Sequence, residues 1–305
     1  MKPALRPGLL PLWRDEDTVQ IGIDPRRAVA ISGMSDAAEV VRLLDGSRDT
    51  DQLIAEAGRR GVPAAVTERI IGLLTVAGVV VDFPSEILRG MEPELRRQLT
   101  PVLATASLAA QDSDGGASIL ARRSSCTVDV CGCGPVAALV ADLLTRSGLA
   151  AAGPADGPRR ARPIDLLVLV GRPSLDETTE LLRRRQPHLA VYAGEAIGVV
   201  GPLVRPGLTA CLRCIDLARA QRDPAWPLIL AQLAGRSSDP PACDAVLAAS
   251  VAAQAAAQAV AFADRVQLPP ATVNATLELV LPSWQWRRRS WPPHPACICG
   301  SQRAG

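Results

Sequence analysis

The stretch "CTVDVCGCGPVAALVADLLTRSG", Cys126–Gly148, decides how the longer part of the chain is read. Five residues alternate between apolar and small polar, then glycines interrupt, then an apolar face recurs every three to four residues. That order predicts a strand, a tight turn and a helix. Gly132-x-Gly134-x-x-Ala137 stands where a dinucleotide or nucleotide fingerprint would stand. There, glycines allow the turn and the helix amides meet phosphate. A Rossmann-like turn kept for architecture alone is the equal alternative.

The pattern continues outward in both directions. "PIDLLVLVG" is a buried strand and "SLDETTELLRRR" a helix. "HLAVYAGEAIGVVGPLV" is a two-strand hairpin, Ala245–Ala263 an Ala-rich helix, and "ATVNATLELVLP" a late strand. Strand–helix alternation predicts an α/β fold with a mostly parallel sheet over 126–305. Ser250, Gln254 and Gln258 interrupt the Ala-rich segment, which therefore reads as a buried helix and not a membrane span.

Residues 1–90 have a different texture. "TVQIGI" and "AVAISG" are short strands around the turn Asp24–Arg27. Three helices follow, over Ser35–Gly46, Thr50–Gly61 with Thr50 as N-cap, and Pro63–Gly78. "VVVD" closes the module as a strand. Together these predict a small winged-helix-like α+β domain. Residues 91–125 read as a helical connector with a loose tip, "QDSDGGAS".

The chain has 305 residues, 48% apolar and 21% charged, with a net charge of +2. That composition is globular, and the charge favours neither nucleic acid nor membrane as a partner. No secretion signal opens the sequence, so eight cysteines suggest a reducing, cytoplasmic setting in which metal binding outranks disulfides. Cys211-x-x-Cys214 and Cys297-x-Cys299 form two close pairs beside the turn residues Pro206-Gly207 and Pro295. Four thiolates from two segments suit a structural tetrahedral zinc, with no open coordination position. His294 is an alternative ligand; core cysteines or a redox pair at Cys211 and Cys214 are the bland readings. Cys243 reads as a buried small residue, and His188 as a surface or cap residue. Arg183–Arg185 and Arg287–Arg289 read as solvated charge runs.

Taken together, "VDVCGCGPVA", "PIDLLVLVG", the cysteine pair after "GPLVRPGLTAC", the Ala-rich helix and "HPACIC" resemble the ThiF-type, ubiquitin-activating-enzyme-like superfamily. The likeness is to its branch in thiazole/oxazole-modified peptide (bacteriocin) biosynthesis. That resemblance implies a zinc joining the two cysteine pairs and a PqqD-type module at the N-terminus that binds a precursor's leader peptide. It also implies a partner, a YcaO-type cyclodehydratase that carries the ATP chemistry. Adenylating members hold ATP with a ribose-binding Asp, an Arg, a Lys and a metal-binding Asp. Here Lys2 is the only lysine, Asp156 the only carboxylate near the ribose position, and Asp176 a loose match for the metal ligand. Arg159, Arg160 or Arg162 would have to substitute for the Lys, and the two residue types are not interchangeable at phosphate.

The expected role is therefore a leader-peptide-binding partner without its own ATP chemistry, with Arg26, Arg27 and Arg69 at the rim of a groove walled by Val29, Ile31, Ile70 and Leu74; the bland alternative is that Ile31, Ile70 and Leu74 are simply core. An active ThiF-like adenylyltransferase is the alternative, and a winged-helix DNA-binding regulator the third class. A homodimer is left open.

Overall fold

A computed structural model describes residues 1–32, 35–83, 88–153, 163–234, 242–265 and 269–299. The chain divides into two compact units, Met1–Ala121 and Arg122–Gly305.

The first unit holds a three-stranded antiparallel meander, β2 (Pro11–Trp13), β3 (Thr18–Ile21) and β4 (Val29–Ser32), with β4 at an edge. A separate ribbon pairs β1 (Pro3–Leu5) with β5 (Val80–Asp82). Helices α1 (Ser35–Leu43), α2 (Thr50–Arg59) and α3 (Ala64–Val76) pack their apolar faces into one core with β3, including Ile21, Val40, Leu53, Ile70 and Leu74. The N-cap of α2 is Asp49, not Thr50: its carboxylate accepts from the Gln52 amide, and the Gln52 side chain accepts from the Asp49 amide. A carboxylate at the positive helix end outcompetes the neighbouring hydroxyl. Helix α4 (Pro93–Ala110) belongs to this same unit, and α5 (Ala117–Ser125) straddles its boundary. Buried Arg6 ties β1 to the end of α3 and to α4, donating to the Gly78 carbonyl at 2.7 Å and to the Ser107 carbonyl and hydroxyl at 2.7 and 2.9 Å.

The second unit is a mixed α/β layer structure on a seven-stranded sheet. Its strands are β6 (Thr127–Cys131), β7 (Ala150–Ala152), β8 (Leu166–Val170), β9 (His188–Gly194), β10 (Ile197–Val204), β11 (Ala275–Val280) and β12 (Gln285–Ser290). They run in the order β12-β11-β10-β9-β8-β6-β7. Strands β7, β6, β8 and β9 are parallel; β10, β11 and β12 then add antiparallel, so five of the seven strands point one way. The hairpin β9–β10 turns on Glu195 and Ala196, both at positive φ (54° and 59°), which matches the twist of the flanking strands.

Connecting helices are α6 (Gly134–Arg146), α7 (Leu175–Arg183), α8 (Leu212–Ala220), α9 (Trp226–Ala234) and α10 (Ala245–Asp264). Helix α10 is long and apolar enough to cross a membrane by length and composition. In this fold it packs on α6, β9 and β10, and its Leu247, Val251, Ala255 and Ala259 are buried in the main core. Alanines bring its backbone close to the sheet. Gly198 completes the fit, since a Cβ there would lie 2.3 Å from a Val251 methyl.

Candidate metal centre

Cys211 caps the N-terminus of α8 and Cys214 lies in its first turn, so both thiols leave the same helix end. The other pair follows the turn in which the Cys297 amide donates to the His294 carbonyl at 3.0 Å. All four cysteines are buried, and their Sγ atoms lie within 4.8 Å of one another. Three contacts are Cys211–Cys214 at 3.8 Å, Cys211–Cys297 at 3.6 Å and Cys214–Cys299 at 3.3 Å. A disulfide needs about 2.05 Å. Four sulfurs about 2.3 Å from a tetrahedral zinc stand about 3.8 Å apart, so the donor set fits such an ion. Leu182, Val204, Ile215 and Trp291 pack around the cluster.

Without a metal the thiols share protons unequally. The hydrogen bond from Cys211, helped by the His294 and Cys211 amides, holds Cys214 down to about 4. Donating that bond, together with burial, pushes Cys211 strongly up; burial first, then Cys214 and Cys297, pushes Cys299 up to about 12. A cation at the centre would relieve this by stabilising every thiolate at once. His294 does not belong to the sulfur set: its Nδ1 accepts from the Ala296 amide at 3.2 Å.

The glycine turn lies elsewhere in the unit. A Cβ on Gly132 would lie 2.2 Å from the Val170 carbonyl oxygen, and the residue has φ 131°. The close approach of β6 to β8 therefore demands glycine by itself. Gly134 has φ 82° with open space beside it. Cys131 and Cys133 flank the turn and are exposed, with the Cys131 thiol raised mainly by desolvation. Strand β7 ends at Ala152, followed by Gly153, with no carboxylate. Asp156, Arg159, Arg160 and Arg162 lie outside the described residues. Asp176 is exposed in the first turn of α7.

Of the rim arginines, Arg26 pairs with Asp24 at 2.8 Å and Arg27 donates to the Leu108 carbonyl at 2.9 Å. Arg69 is exposed on α3. Ile70 and Leu74 are fully buried core residues and cannot wall a groove, whereas Val29 and Ile31 are half-buried. The large apolar side chains that α3 exposes are Leu73 and Val76, in line with Arg69 at helical spacing.

Two further expectations are corrected. His188 is buried, its Nδ1 3.0 Å from the Gln186 carbonyl, because β9 begins inside the sheet. Cys243 is half-buried, its thiol near the Asp244 carbonyl just before α10. Arg183 and Arg184 are solvated as expected and pair with Glu180.

No protein-family model and no curated protein matches the chain. Solved structures do share its fold. The heterocyclase TruD matches with a TM-score of 0.71 at 17% identity, over 99% of this chain and 43% of that one. A heterocyclase in complex with substrate and cofactor matches with 0.72 at 14%, over 98% and 39%. The chain thus spans about two fifths of the length of these heterocyclases. E. coli MccB with AMPCPP and MccA matches with 0.65 at 14%, over 98% of this chain and 100% of that one. At such identities the likeness establishes the architecture, which is that of heterocyclase- and MccB-type proteins.

Proposed function

We propose that the protein binds the leader of a ribosomal precursor peptide and delivers it to a YcaO-type cyclodehydratase, without ATP chemistry of its own. The observation that supports a role in ribosomal peptide modification is the match over nearly the whole chain to both the TruD heterocyclase and MccB, the latter solved with MccA. It agrees with the resemblance carried by the cysteine pairs and the glycine turn. The four cysteines hold a structural zinc, with Cys211, Cys214, Cys297 and Cys299 as ligands; the protein supplies all four donors, so the ion has no position to offer a substrate.

In the first unit we assign leader binding to the free edge of β4 and the exposed stripe Arg69–Leu73–Val76 of α3. An extended peptide completes an edge strand through backbone hydrogen bonds, and exposed apolar and charged side chains of the same unit offer it further contacts. Gly132 then serves the close approach of β6 and β8, and Gly134 the left-handed turn into α6, rather than a nucleotide. This fits the lack of a carboxylate at the end of β7 and of any lysine beyond Lys2.

Reconstitution tests the proposal. A YcaO-type enzyme encoded beside this chain should form azolines on its cognate precursor only when the full chain is present. The chain alone should show no ATP–pyrophosphate exchange. Azoline formation without the chain would remove the delivery role, and exchange abolished by Gly134→Asp would make it an adenylyltransferase.

A further inference from the structure

The sheet of the second unit has two unlike faces. Residues facing α10, such as Val191, Gly198, Val200 and Leu279, are buried. On the opposite face, Tyr192, Val199, Glu278 and Arg287 form one cross-strand row over β9 to β12, half-buried or exposed. Beside that row stands a ladder of rings and guanidiniums. Arg172 lies 4.6 Å over the Tyr192 ring, and Arg219 lies 4.9 Å from the Trp226 ring and 5.6 Å from that of Trp291. Arg289 covers Trp291 at 4.3 Å. The rings are themselves anchored: Trp226 Nε1 donates to Asp216 at 3.1 Å and Trp291 Nε1 to Thr276 at 2.9 Å.

Among the described residues, the guanidiniums of Arg172, Arg219, Arg287 and Arg289 make no ion pair and donate no hydrogen bond within the protein. Their neighbour Arg288 behaves differently, donating to the Ala271 and Val273 carbonyls and to Ser290. Stacking on rings orients a guanidinium yet leaves its N–H fork available for a carboxylate. Asp216 and Glu278 lie near Arg219 without pairing with it. Among the described residues, four guanidiniums against two carboxylates leave this face positive.

We propose that this face binds an acidic, extended peptide segment. Its carboxylates would be taken by Arg172, Arg287 and Arg289, with its apolar side chains on Tyr192 and Val199. Strands β9 to β12 are three inter-strand steps apart, about 14 Å. At the level of the backbone that span is about the reach of carboxylates four residues apart on an extended chain. The inference goes beyond leader recognition in the first unit and stands independently of it.

The test uses the full chain and a fluorescein-labelled peptide of repeating Glu-Ser-Val-Ser, which turns Glu and Val to the same face and spaces the carboxylates four residues apart, read by anisotropy. Matched peptides with Lys or Gln in place of Glu are controls. Only the acidic peptide should saturate, more weakly at high salt. Arg287→Glu with Arg289→Glu should weaken it about tenfold or more, and Arg172→Gln, on a loop, severalfold, all with unchanged melting. Loss caused instead by Arg27→Glu with Arg69→Glu would move the binding to the first unit and overturn the proposal. Equal binding of the Lys peptide would also overturn it, as would displacement by inorganic pyrophosphate at lower concentration than by unlabelled acidic peptide.

Discussion

Arg123 and Asp264 form a two-pronged ion pair, Nε–Oδ1 at 2.6 Å and Nη2–Oδ2 at 2.7 Å, with side chains only 9% and 11% exposed. It joins α5 to the end of α10. Removing one partner strands a charge in a poorly solvated place, so Arg123→Met or Asp264→Leu alone should lower unfolding free energy by about 3–5 kcal/mol. The double variant, with no charge left, should recover much of that loss in denaturant titration.

Metal analysis of gently purified protein should give about one zinc per chain. Cys211→Ser and Cys299→Ser should each lose the ion and melt about 10 °C lower, since metal binding here is part of folding. Equal melting of the serine variants and the parent would reject the zinc assignment.

Leader binding should follow α3. Leu73→Asp or Arg69→Glu should weaken a cognate leader about tenfold without lowering the melting temperature, because both side chains are exposed. Ile70→Ala, by contrast, removes a fully buried side chain and should cost about 2–5 kcal/mol in stability.

Burial holds the His188 imidazole below its ordinary value, against a smaller opposing effect of the Gln186 carbonyl. The unfolded chain therefore binds more protons than the folded one as pH falls past about 6.5. Stability should be fully present above that range and decline below it. His188→Asn should flatten this part of the stability–pH curve; an unchanged slope would show that other groups set it.

Much of this was legible in the sequence where spacing is local. The two cysteine pairs, the helix after Gly134, the hairpin around Glu195-Ala196 and the closing strand at Val80 could all be read from short windows. Strands β1 and β2 could not: each has three residues and opens on a proline, Pro3 or Pro11, which argues against a strand unless it sits at an edge. Strand β12 hid as an arginine run, because an edge strand with a solvated face has no apolar alternation to find. Likewise the ladder of Arg172, Tyr192, Arg219, Trp226, Arg289 and Trp291 exists only once the sheet is assembled. No window of sequence holds those residues together.

The sulfur cluster joins residues 86 apart at Cys211 and Cys297 and 85 apart at Cys214 and Cys299. Closing a loop of that length costs about 4 kcal/mol of chain entropy beyond a constant. The loop is not an ornament, for it contains α10, on which the sheet and α6 are packed, together with β11 and β12. Under the zinc assignment proposed above, a chelator strong enough to strip the ion would therefore act on this protein as a denaturant of its main core, at a distance from the sulfurs themselves.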